Sequence, residues 1–137
     1  MQFLSNSPIS VNFGGSISFT NDDRFGYGVG CYFIGWDVWG LSRATDGSLT
    51  EFETGAYAPP PFDPQAIYCP GPLAVSANGY VAIASHDIMS SAPGRIAMYH
   101  INSDGTLALV EGSAITPPFV GVRTMEFDPS GNILAAA

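Results

Sequence analysis

The chain has 137 residues, enough for one ordinary domain, and is 46% hydrophobic but only 12% charged. Four arginines and no lysine stand against twelve carboxylates, a net charge of −8 that repels phosphate backbones and anionic lipid. Nucleic acid and membrane surfaces are therefore excluded as partners. Sixteen glycines and eleven prolines interrupt the chain too often for helices of ordinary length, so the class is all-β.

The N-terminal stretch Met1–Pro8 lacks the basic and apolar regions of a signal peptide, and no run approaches the ~18 apolar residues of a membrane span. Phe3–Ser5 reads as the last strand of a preceding unit. A first unit follows, with strands near Ser16–Thr20, Phe25–Cys31, Phe33–Arg43 and Leu49–Thr54. The loop Ala56–Pro64 is proline-rich and favours an extended polyproline stretch, with a proline-rich ligand motif as the alternative. A second unit has strands at Pro72–Ser76, Tyr80–His86, Arg95–Ile101 and Thr106–Glu111. Val122–Phe127 and Asn132–Ala136 begin a third. Asn78-Gly79 and Asp104-Gly105 separate alternating apolar runs, the strongest short-range hairpin signal, because both residue types tolerate positive φ.

These units repeat. Asp46-Gly47-Ser48-Leu49 returns as Asp104-Gly105-Thr106-Leu107, 58 residues later. Val75–Val81 returns as Phe127–Ile133 after 52 residues, and Phe19–Phe25 is a fainter copy 56 residues before Val75. Such a period with strand-like contents predicts a propeller or solenoid. The expected fold is thus a series of consecutive four-stranded antiparallel β-propeller blades in an incomplete ring. Residues 1–15 end one blade, 16–55 and 71–112 are full blades, and 122–137 are the first half of another.

Cys31 and Cys69 lie 38 positions apart, which is not metal spacing. They are expected either to form a disulfide, contributing roughly 3–4 kcal/mol, or to be two buried thiols. A disulfide would place the protein in an extracellular or periplasmic compartment, and free thiols in the cytoplasm. No cofactor and no metal are expected. Asp22-Asp23 offers too few oxygens for calcium, and Gly26-Tyr27-Gly28-Val29-Gly30 lacks phosphate-loop spacing. Ser85-His86-Asp87 is sequential on a strand, so it reads as a polar strand end and not as a triad. His100 and the aromatic group Tyr32, Phe33, Trp36 and Trp39 read as packing between sheets, with carbohydrate stacking or partner contact as the minority reading of the aromatics.

Tyr99-His100-Ile101-Asn102-Ser103-Asp104-Gly105-Thr106-Leu107, followed by Gly121–Leu134, resembles the lactonase-type seven-bladed β-propellers, which include 6-phosphogluconolactonase and the carboxymuconate-cyclase-like proteins. The likeness runs from about Ser16 to Ala137 and covers some two and a half blades. It implies a sugar-lactone hydrolase, with a small sugar lactone as substrate and Arg123 in the position of the family's arginine, while Thr124 replaces its histidine. Glu126 is three residues on and falls on the opposite face of a strand. With one matching residue, the chain is expected to be either an inactive segment of such an enzyme or a noncatalytic binding and self-assembly module. Its partner would be another copy or another propeller segment, docked through open strand edges.

Overall fold

The computed structural model describes residues 17–31, 36–56, 68–87, 94–117 and 121–137. Among these residues ten strands form three antiparallel sheets. The first contains β1 (Ile17–Phe19), β2 (Phe25–Cys31), β3 (Trp36–Arg43) and β4 (Leu49–Glu53), each paired with the next. The second repeats that order with β5 (Tyr68–Val75), β6 (Tyr80–Asp87), β7 (Arg95–Ile101) and β8 (Leu107–Leu109). The third has two strands, β9 (Met125–Phe127) and β10 (Leu134–Ala136).

The expected meander is present, but the propeller is not. All three sheets are open: β1 pairs only with β2, and β10 only with β9, so the described strands close no ring. The physical reason is that the repeated signals are local. A positive-φ turn between apolar runs specifies a hairpin, and a series of hairpins specifies an open sheet. Neither fixes how one sheet is rotated against the next, which decides whether sheets form a ring.

Alternation along β6 determines the stacking. Val81 and Ile83 point to one face and Ala82 and Ala84 to the other, all four at 0–1% exposure. The first pair joins Tyr27, Val29 and Val38 of the first sheet in one core, with Leu73, Tyr99 and Leu107. The second pair packs with Ile96 against Val122 and Met125 beneath the third sheet. The middle sheet is thus buried on both faces, as its unbroken apolar run requires. β5 begins earlier than its turn signals suggest and has an irregularity between Pro70 and Leu73, where prolines interrupt the ladder.

Cys69 lies within β5 rather than in a loop, is 2% exposed and is disulfide-bonded. The Cys31 side chain lies outside the described residues, as do Phe3–Ser5, the proline-rich segment beyond Ala56, Tyr32 and Phe33.

Candidate functional site

The turns that join first and second strands gather at one end of the stack. In each, the fourth residue past the strand has positive φ: Asp23 at 56°, Gly79 at 78° and Gly131 at 72°. The backbone closes identically, with Asp23, Gly79 and Gly131 donating their N–H groups to the carbonyls of Thr20, Ser76 and Asp128. Asp23 takes the left-handed conformation that an Asp side chain tolerates. Its carboxylate meets the Arg43 guanidinium at 3.5 Å.

Side chains then differentiate these turns. Between the second and third sheets, Ser76 Oγ donates to the Gly131 carbonyl at 2.8 Å. Asn78 Nδ2 donates to the Ser130 carbonyl at 2.9 Å and to Asn132 Oδ1 at 3.0 Å. Between the first and second sheets the corresponding residues are Thr20 and Asp22. The Thr20 hydroxyl instead donates within its own turn, to Asp22 Oδ1 at 2.6 Å. This bond, followed by the Arg24 N–H, holds the Asp22 carboxyl below the usual carboxylate range. A cavity of about 310 Å³ opens there, bounded by Asn21, Asp22, Arg24, Ser76 and Asn102. Arg24 lies over the Phe25 ring, 5.0 Å from its centre. A shallower hollow adjoins it at Asp23, Arg43 and Thr45.

Of the residues weighed for chemistry, Asp22 and Asp23, set aside as a calcium site, border these cavities, whereas Arg123, Glu126, Ser85, His86 and His100 line neither. Arg123 is exposed at the entry to β9, and its N–H donates to the Ala137 carbonyl at 2.6 Å. Glu126 is also exposed, in β9. Ser85 is buried, and the backbone of His86 pairs with that of Cys69 across the β5–β6 ladder, so these residues form the interior of a sheet. His100 is exposed and meets Tyr80 edge-on at 5.6 Å. Trp39 is half-buried on β3. Among the described residues no cluster of His, Cys, Asp and Glu could hold a metal ion. The cavity residues Asp22 and Arg24 were legible only as a turn, because a cavity between sheets depends on which side chains fail to bridge them.

No family model matches the chain, and no curated protein matches it. A crystal structure described as that of a protein from Lactobacillus plantarum, a Northeast Structural Genomics Consortium target, is similar with a TM-score of 0.66 at 16% identity. The match covers 88% of this chain and 33% of that one, so this chain spans about a third of the other's length. At that identity the likeness is one of fold alone. The class shown is an all-β stack of open antiparallel sheets. The expected lactonase membership and sugar-lactone hydrolysis are overturned: no family model supports them, and neither cavity gathers Arg123 with an acid or base. The motif that suggested them is a hairpin signature, which carries backbone geometry and not chemistry.

Proposed function

We propose that the protein is an association module in which one copy docks on another through the open edge of the third sheet. The observation that carries this is the edge of β10. In the first two sheets the second strand is paired on both sides, β2 by β1 and β3, β6 by β5 and β7. Among the described residues β10 is paired on one side only. Thr124 and Ala137 exchange both N–H bonds across the hairpin, so the alternate residues Leu134 and Ala136 direct their N–H groups to the open side.

The edge carries none of the usual protection. Leu134-Ala135-Ala136 has no charge and no proline, and the preceding Ile133 is 67% exposed. A bare apolar edge is a template for strand addition. The opposite end of the stack offers a complementary strand: β1 is a sheet edge with Ile17 and Phe19 at 43% and 39% exposure. Joining β1 of a second copy to β10 buries apolar surface at both ends and makes a head-to-tail contact. Sedimentation velocity across micromolar concentrations should show concentration-dependent association. Ala136→Pro removes only an edge-facing N–H, which an edge strand tolerates, and should abolish association while leaving the β-sheet circular dichroism intact. A chain that stays monomeric throughout, or a variant that associates like the parent, would overturn the proposal.

A further inference from the structure

The cavity between the first and second sheets stands where the next pair of sheets is zipped. At the equivalent turn position Asn78 donates across to the neighbouring turn, whereas Asp22 has only acceptors and cannot. Among the described residues no hydrogen bond joins the Thr20–Phe25 turn to the Ser76–Tyr80 turn. A full negative charge therefore faces the gap. Two residues on, the Arg24 guanidinium borders the same space, permanently charged and held over Phe25. The single ion pair among the described residues is Arg43–Asp23, so Asp22 and Arg24 attract each other without closing a direct ion pair.

We infer that this cavity binds a small zwitterion of the amino-acid type, its ammonium on Asp22 and its carboxylate on Arg24. At about 310 Å³ the space is at the lower end of ligand-site volumes and fits an amino acid, not a larger cofactor. Asn21, with no hydrogen bond among the described residues, and Ser103 line the opening as neutral polar groups suited to a short polar side chain. Asp22 and Arg24 are exposed, so their charge-assisted hydrogen bonds form in competition with water and binding is weak.

Titration of the isotope-labelled full chain with L-alanine, followed by amide NMR, tests this. Saturable shifts are expected at Asn21–Arg24, Ala77–Gly79 and Asn102–Ser103, with a Kd of about 1–10 mM. Asp22→Asn and Arg24→Gln should each weaken binding about tenfold while preserving the dispersion of the remaining amides. Acetate alone and methylammonium alone, added to the unsubstituted chain, should bind more weakly than alanine, and this comparison holds even if a variant is poorly folded. Shifts that never saturate, glycerol binding as tightly as alanine, or well-folded variants that bind unchanged would each overturn the assignment.

Discussion

Three short turns fix the geometry of their carboxylates in the same way. Asp46, Asp104 and Asp128 each accept a hydroxyl two residues on, from Ser48, Thr106 and Ser130, and the same neighbour's N–H. These bonds favour the carboxylate, so each acid is held below its usual range by the hydroxyl first and the backbone second. Asp128 is the extreme case, brought down to about 2, with the Ile133 N–H as its second cause. The folded pKa is depressed, so its contribution is present above the unfolded value near 3.8 and is lost as pH falls through about 2. Protection of the Asn132 and Ile133 amides, measured against their intrinsic exchange rates, should therefore fall between pH 4 and 2. Asp128→Ala should show the reduced protection already at neutral pH and lose the acid step. An unchanged profile in the variant would show that another group governs the transition.

At the scale of elements, strand periodicity was readable because it is local. β2 and β7 fall on Phe25–Cys31 and Arg95–Ile101, as the alternation and turn residues require. β8 and β9 are shorter than read, three residues each, because after β8 the chain turns at Glu111-Gly112. It then returns to the middle sheet through the Ile96–Ile115 bridge and the Ser113 hydroxyl on Met98. Sequence could not show that return, since Ser113 and Ile115 carry no pattern of their own. Nor could it show Asp22 facing a cavity, which depends on a donor present at Asn78 and missing one sheet earlier. One constraint on the middle sheet is sharper than its sequence suggests. A side chain at Gly94 would collide with the backbone carbonyl of Ser85, a neighbour that cannot rotate away. Gly94→Ala should therefore cost about 1–3 kcal/mol in denaturant unfolding. A loss below about 0.5 kcal/mol would mean that the loop absorbs the methyl group.

For the whole molecule, the two interfaces of the middle sheet differ in kind, and this divides its stability. Toward the first sheet the contact is made by large side chains, and the buried Tyr27 hydroxyl donates to the Gly105 carbonyl at 2.8 Å. Burial pushes that phenol's pKa up, so the bond persists across the neutral range. The backbone adds Leu107 N–H to the Thr54 carbonyl at 2.7 Å. Toward the third sheet the middle sheet offers Ala74, Ala82 and Ala84 with Ile96, and the polar clasp from Ser76 and Asn78 substitutes for apolar area. A two-stranded sheet is marginal by itself, so β9 and β10 depend on that clasp. Ser76→Ala removes a buried hydroxyl and leaves the Gly131 carbonyl without this donor, a loss of about 1 kcal/mol. Hydrogen exchange should then speed up about fivefold at Met125–Phe127 and Leu134–Ala136 while β6 keeps its protection. The separation matters for association: the open edge proposed to receive a second copy lies on the sheet most readily detached. Loosening it should weaken docking without unfolding the rest. If exchange rises equally in β6, the three sheets unfold as one unit, and the third sheet is not the adjustable end of the stack.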